Sequence, residues 1–474
     1  MAGFAVGAAA PAQADPAQTY LAVPAGRYPI DVNATPDDSY VFVISRGDGG
    51  ESDLRVYEAG GFTEVNRIVF GPADAFNPTA VQVSADGSQV WVSFYNPGQV
   101  WVYDTAALAA GAAPAPIVLT GGGGFVDLTE DPTGAYIYAA TLFNPQYQFS
   151  TADPNAPPRT ISLPSGSRGV ATNGSTVWFT QPVPAPAGGV QAVTVAADGT
   201  LAIGTFTATG DVPWGIAYVG AADRIISSNS GTPTSVSSFS PSGGPVTTTP
   251  VPCGPRNGDA SENGLRGYLA CLSGGIVASN FAPTGPTSEL VPIGANVESV
   301  EVVGDAAGVA KHLYATSGGT DELLVFTRAT VTGGGDQRVV EGTAATFTAV
   351  AVDFWQQIRW QSSADGGTTW VDITGADSET LTVAGLLASS GTLFRLVATS
   401  AFFDPVASEP MRLTVDPAPV PPPPCPGPTV DPSCPLPAAG VDATPLVAGA
   451  AALLAAGGLL AAVAIARRRV AGSR

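Results

Sequence analysis

Seven times between residues 31 and 327, a short run of β-forming residues enters a polar turn and returns as a second run. The clearest copies span 32–44, turning at Thr35-Pro36-Asp37-Asp38, and 81–92, turning at Ala85-Asp86-Gly87-Ser88. Copies at 125–139 and 170–179 turn at Asp131-Pro132-Thr133-Gly134 and Asn173-Gly174-Ser175; weaker ones follow at 215–227, 260–272 and 297–315. Asp, Asn, Gly and Pro suit tight hairpins because they accept positive φ or pre-set the turn, while Val, Ile, Tyr and Trp suit a pleated, half-buried surface. Copies spaced about 40 to 50 residues apart, with further strands at 99–103 and 323–326, have the period of β-propeller blades. Solenoid repeats are mostly shorter, and a sandwich does not need seven such hairpins. A seven-bladed β-propeller over residues 15–328 is therefore expected. Its ring must close, and the alternating run Tyr20-Leu21-Ala22-Val23 is placed to complete the seventh blade and cover an otherwise open edge.

The turn sequences Ser84-Ala85-Asp86-Gly87-Ser88-Gln89-Val90-Trp91-Val92 and Asp131-Pro132-Thr133-Gly134-Ala135-Tyr136-Ile137-Tyr138 resemble the blade openings of YVTN-type surface propellers. The resemblance extends over about 300 residues and implies a fold but no activity, because propellers host many unrelated ones. A second all-β region follows at 329–416, with runs around Val339, Phe347, Trp360, Leu381, Phe394 and Leu413. It resembles a bacterial immunoglobulin-like β-sandwich: Trp360 stands where the core tryptophan belongs and Phe394 where the corner tyrosine would be. Phe347 and Leu396 stand at the two cysteine positions, so the resemblance implies an apolar core without a bridge.

Residues 417–435 are proline-rich and contain Pro421-Pro422-Pro423-Pro424, which favours a stiff polyproline II spacer. After a linker ending at 445, residues 446–466 are uncharged and apolar. At 1.5 Å per residue they make a helix of about 32 Å, long enough for a hydrocarbon core of about 30 Å. A transmembrane helix is expected there, and Arg467, Arg468 and Arg469 in the tail 467–474 keep its far end cytoplasmic. Leu436-Pro437-Ala438-Ala439-Gly440, the span and the arginines together resemble the LPXTG cell-wall sorting signal of Gram-positive surface proteins. That resemblance implies a sortase as partner, cleavage between Ala439 and Gly440, and attachment to peptidoglycan. It departs from the family at Ala439, where threonine is usual; without processing the same segment is a plain single-pass anchor. Residues 1–14 are apolar and end in Ala12-Gln13-Ala14, which reads as the back half of a signal peptide, or else as a disordered terminus. The expected location is outside the cell, on the wall or the plasma membrane. The Ala, Gly, Pro and Arg bias fits a GC-rich, actinobacterial genome.

The chain has 39 acidic against 19 basic residues, a net charge of −20, and a single lysine, Lys311. This excludes nucleic acid as an expected partner, since binding it needs clustered cations. The cysteines form two local pairs, Cys253 with Cys271 and Cys425 with Cys434, expected as disulfides in an oxidising compartment. Zinc is the competing reading, but neither pair has the short spacing of a zinc site and the only histidine, His312, is distant. His312 is expected as a surface or edge residue, and no phosphate loop or histidine cluster is present. The acidic groups Asp48, Glu51, Asp53 and Asp259, Glu262 are read as solvated hairpin tips, with calcium or acid–base work as the alternative. Among the aromatics near loops (Phe94, Tyr95, Phe143, Tyr147, Trp178 and Trp214), most are expected in the core. Trp214, flanked by Pro213 and Gly215, is the candidate ligand-binding residue.

With no assembled catalytic constellation and no implied cofactor, the expected function is a surface-anchored binding or adhesion protein for an extracellular glycan or protein. The alternatives are a cation-dependent extracellular hydrolase or lactonase working with propeller-face carboxylates, and a passive envelope component.

Overall fold

The computed structural model describes residues 20–420, apart from Asp74, 183–187, Glu262, 282–286, Ala295 and Ala306. The signal-like terminus 1–14, the pair Cys425 and Cys434, the motif 436–440, the apolar span 446–466 and Arg467, Arg468 and Arg469 lie outside these residues. Among the described residues no helix is long and apolar enough to cross a membrane.

The described chain is almost entirely β, interrupted by a one-turn helix at Thr105–Ala109 and a 3-10 turn at Leu387–Ser389. Up to Thr327 its strands make seven four-stranded antiparallel sheets. Six use strands consecutive in sequence, the first being Pro29–Ala34, Tyr40–Ser45, Glu51–Glu58 and Thr63–Pro72. The seventh, Val297–Gly304, Ala310–Ser317 and Glu322–Thr327, is completed by Leu21–Pro24, with Val23 opposite Leu323. Each repeated hairpin of the sequence supplies the first two strands of one sheet. The first strands of the second to sixth sheets are Asn77–Val83, Phe125–Glu130, Val170–Thr172, Pro213–Val219 and Pro255–Ala260. Each lies beside the first strands of the sheets before and after it, and Val297–Gly304 returns to Pro29–Ala34. The result is a closed, propeller-like ring.

Burial follows from the two-residue period of a strand, which sends alternate side chains to opposite faces. In Tyr40–Ser45, Phe42 and Ile44 meet Val81, Val90, Val92 and Phe94 of the second sheet. Val41 and Val43 meet Tyr314, Leu323 and Val325 of the seventh. Such strands are apolar on both faces because a sheet lies on either side.

The seam between first and seventh sheets also carries a polar clamp. Asp38, in the first hairpin turn at a φ of 56°, accepts hydrogen bonds from Lys311 Nζ at 2.7 Å and the Tyr314 hydroxyl at 2.6 Å. His312 Nδ1 lies 2.7 Å from the same carboxylate. Burial alone would raise the Asp38 carboxyl, but the contacts with His312, Lys311 and Tyr314 outweigh it and hold it at about 2. The surface or edge position expected for His312 is thus corrected: it is buried, against a partner 274 residues away in sequence. The Cys253–Cys271 disulfide is present; Cys271 ends the strand Arg266–Cys271, and both cysteines lie in the core between fifth and sixth sheets.

Beyond Arg328 two further sheets share one core. Thr330–Gly333, Ala344–Val352 and Thr380–Ala384 form the first. Gln337–Val340, Met411–Asp416, Leu393–Thr399, Gln357–Ser363 and Val371–Asp372 form the second, with Val406–Ala407 on Leu393–Thr399. Strict alternation along Ala344–Val352 points Ala345, Phe347, Ala349 and Ala351 at Trp360, Phe394, Leu396 and Leu413. The buried Trp360 indole donates to the Ser378 carbonyl at 2.8 Å.

This region packs directly on the ring. Phe354 and Phe402 stack at 5.0 Å, and Phe326 of the seventh sheet meets both edge-on at 5.1 and 5.2 Å. Tyr268 of the sixth sheet donates its hydroxyl to the Phe402 carbonyl at 2.5 Å, and Arg266 pairs with Asp404 at 2.5 Å.

Candidate functional site

The seven first strands surround the ring axis, and the residues along them change character with depth. Where these strands begin lies a recess of about 370 Å³ lined by Tyr28, Arg46, Tyr95, Arg168, Trp214, Arg256 and Glu298, among others. Further along the same strands a recess of about 440 Å³ is lined by Asp31, Asp127, Asp259 and Glu301. The mouth is basic and the interior acidic.

Trp214 is brought to this mouth at the start of the fifth sheet. Arg168 reaches its indole from the fourth sheet, with the guanidinium carbon 4.0 Å from the ring centroid, and Arg256 reaches it from the sixth at 3.8 Å. The ring therefore lies between two cations, an arrangement in which its quadrupole attracts both. Glycine makes the stack possible. A Cβ at Gly169 would stand 2.4 Å from the Trp214 carbonyl oxygen, and one at Gly215 would stand 2.2 Å from that of Arg256, so only glycine lets these strand starts approach so closely. A third arginine, Arg46, lies 4.7 Å over the Tyr28 ring, whose hydroxyl donates to Glu298 at 2.8 Å.

Burial lowers the pKa of Arg168 and Arg256, helped at Arg168 by the neighbouring Arg256 charge. Among the described residues neither guanidinium has an ion-pair partner, and the Nε of each is buried without an acceptor. The side-chain oxygens of Asn77 and Asn257, which line the same mouth, are also buried without partners.

The interior carboxylates tie neighbouring first strands together. Asp31 accepts from the Val81 amide at 2.8 Å, Asp127 from Val170 at 2.9 Å and Asp259 from Val302 at 2.8 Å. Asp31 also takes the Ser299 hydroxyl at 2.5 Å. Burial pushes Asp31 up to about 7 and raises Asp127 and Glu301 well above the usual range; for Glu301 the Asp259 charge adds to it. Among the described residues no group of three or more His, Cys, Asp or Glu is arranged to hold a metal ion.

Of the residues singled out in the sequence, Trp214 reaches the mouth, but both its faces are covered, so it is not a free platform for stacking. Phe94, Tyr147 and Trp178 are buried, whereas Tyr95 and Phe143 remain 37% and 58% exposed. Asp48 and Glu51 are exposed, as expected of a solvated loop. Asp53 departs from that reading: it is buried and paired with Arg67 at 2.6 Å and Arg55 at 3.3 Å. Asp259 departs as well, lying on Pro255–Ala260 against the channel; Glu262 is outside the described residues. Arg168 and Arg256 were not singled out. The available signal was their register: each stands one or two residues before a glycine at the start of a repeat, as Trp214 does.

The fold and its mouth define an all-β, propeller-like protein with a basic recess at one end of its axis. Residues 329–417 match a family described as a domain of unknown function (DUF8696). No curated protein matches the chain. Among solved structures it is similar to the hydrazine synthase of Kuenenia stuttgartiensis, at 15% identity and a TM-score of 0.54, over 66% of this chain and 98% of that one. It is also similar to the WD40 repeats of RRP9, at 11% identity and a TM-score of 0.54, over 66% and 99%. A chain of the mitotic checkpoint complex matches at 13% identity and a TM-score of 0.52, over 69% and 99%. At these identities the likeness shows the fold alone.

Proposed function

We propose that this chain is a surface-displayed binding protein: a seven-bladed β-propeller head carried on an immunoglobulin-like domain and anchored through its C-terminal segment. The observation that carries the reading is the Arg168–Trp214–Arg256 stack at the mouth. Holding two guanidinium groups there, partly buried and without an ion pair among the described residues, costs desolvation free energy that the contacts with Trp214 offset only in part, since the Nε of each is left without an acceptor. A ligand that supplies acceptors removes that cost, which is the arrangement expected of a binding site rather than of packing.

The sequence beyond residue 417 supports the display. The proline-rich composition of 417–435 suits a spacer between head and anchor, and the motif at 436–440 fits cleavage by a sortase and joining to peptidoglycan. The span 446–466 with Arg467, Arg468 and Arg469 then stays in the membrane. The binding reading is tested by exposing the full chain in detergent micelles to extracellular glycans and peptides and comparing capture by wild type and Trp214→Ala. Equal capture by both would remove the mouth from the function. For the anchor, wall digestion of producing cells should free protein ending at Ala439; intact chain found only after detergent extraction would make the segment a plain membrane anchor.

A further inference from the structure

The geometry points to a ligand class, an assignment that rests on the binding reading above: the mouth takes a sugar ring bearing a carboxylate. Arg168 and Arg256 meet the carboxylate, Asn77 and Asn257 meet sugar hydroxyls, and Trp214 positions the two arginines.

Charge gives the first argument. In a chain of net charge −20 the mouth gathers Arg46, Arg168 and Arg256, and the single carboxylate among its described lining residues, Glu298, is already engaged by the Tyr28 hydroxyl. The recess therefore attracts an anion that the remainder of the surface repels. Stacking on Trp214 holds each guanidinium group in the lining of the recess. A planar fork of this kind matches a planar carboxylate.

The unpartnered polar atoms give the second. Two buried donors, the Nε of Arg168 and of Arg256, and two buried acceptors, the Oδ1 of Asn77 and of Asn257, line one recess. A bare anion satisfies only the donors. A sugar acid has both the carboxylate oxygens for the arginines and the hydroxyl donors for the asparagines. Beside them Tyr95 and Phe143 are exposed on either side of Gly124, where a Cβ would stand 3.5 and 2.9 Å from their rings. They offer flat apolar surface to the C–H face of a pyranose.

The interior decides against a peptide. A chain long enough to use main-chain hydrogen bonds would follow the first strands inward, where Asp31, Asp127 and Asp259 already accept the Val81, Val170 and Val302 amides of neighbouring strands. A sugar can stop at the mouth.

The test titrates the full chain in detergent micelles with oligogalacturonate, a neutral galacto-oligosaccharide of equal length, a glutamate-rich peptide and sodium sulfate, following heat and tryptophan fluorescence. Oligogalacturonate should bind at least about tenfold more tightly than the neutral sugar, and added salt should weaken it. Arg168→Ala or Arg256→Ala should weaken it about ten- to a hundredfold, and Asn77→Ala by about fivefold or more. Trp214→Ala should resemble loss of an arginine, whereas Trp214→Phe, which keeps a flat ring between the cations, should retain most of the affinity. Thermal melts accompany each variant; if an alanine variant melts early, Trp214→Phe and Asn77→Ala carry the comparison. Equal binding of neutral and acidic sugars, both lost in Arg256→Ala, would overturn the carboxylate assignment and leave the binding reading standing. Preference for the peptide, or sulfate binding as tightly as oligogalacturonate, would overturn the sugar assignment alone. Indifference of every probe to Arg256→Ala and Trp214→Ala would overturn both.

Discussion

Replacing Phe402 by alanine examines whether the ring and the region beyond Arg328 form one cooperative body. The ring of Phe402 is fully buried, stacked on Phe354, edge-on to Phe326 and 6.2 Å from Tyr268. Removing a buried phenylalanine ring costs about 3 to 5 kcal/mol in transfer and cavity terms, and each aromatic pair adds about 0.5 to 1.5 kcal/mol beyond area. The Tyr268 hydrogen bond goes to the main-chain carbonyl, so it persists in the variant and does not enlarge the loss. At about 2.1 cal/mol/K per residue over roughly 400 cooperative residues, the unfolding entropy is about 0.8 kcal/mol/K, so with the Phe354 and Phe326 pairs included Tm should fall by only about 5 to 10 °C. Urea unfolding is therefore the sharper assay, followed at once by fluorescence and near-ultraviolet dichroism. The wild type should unfold with coincident transitions and Phe402→Ala with separated ones, because the aromatic cluster that couples the two regions has lost the Phe402 ring. A loss below about 1 kcal/mol with transitions still coincident would refute the reasoning, since coupling would then not run through this cluster.

Three further outcomes are expected. Asp38→Asn, which keeps the shape of the seam but removes its charge, should cost about 2 to 4 kcal/mol in urea unfolding; an unchanged midpoint would mean that apolar packing alone closes the ring. Asp31 and Glu130 are both pushed by burial to about 7, with Asp127 and Glu301 raised too, so their protonated forms favour the fold. That stability is whole below about pH 4 and lost as pH rises through 7, so Tm should fall between pH 5 and pH 8, whereas the contribution of Asp38 is lost only as pH falls toward 2. A Tm that rises over that interval would contradict the assignment. Peptide mapping without reductant should link Cys253 to Cys271, and Cys271→Ser should cost about 3 kcal/mol for a loop whose ends are 18 residues apart.

The hairpins were legible because each joins two apolar strands through Asp, Asn or Gly, and both signals lie within about a dozen residues. The outermost strands were less so: Thr247–Pro250 is exposed and polar, and Leu201–Ala208, though it carries Leu201, Ile203 and Phe206, is mostly exposed and lies outside the repeated hairpins. The closing strand at Leu21–Pro24 was legible from the requirement of closure rather than from its own residues. The candidate site was half legible. Trp214 stands out by its Pro and Gly neighbours, but Arg168 and Arg256 join it only when successive repeats are laid on one register. His312 gave no local signal at all, because its partner Asp38 sits at the opposite end of the ring in sequence.

The closing strand also dictates an order of events during synthesis. Six sheets pair strands that follow one another directly, so each can form as its own residues become available, as low contact order allows. Leu21–Pro24 emerges before the other strands of the ring yet pairs with Glu322–Thr327, almost the whole ring later. Until then the nascent chain carries one unpaired strand and one open sheet edge. Phe326 stays uncovered longer still, since Phe402 follows it by some 75 residues. Ring closure therefore joins two strands some 300 residues apart in sequence, and the open edges are exposed to aggregation over that interval.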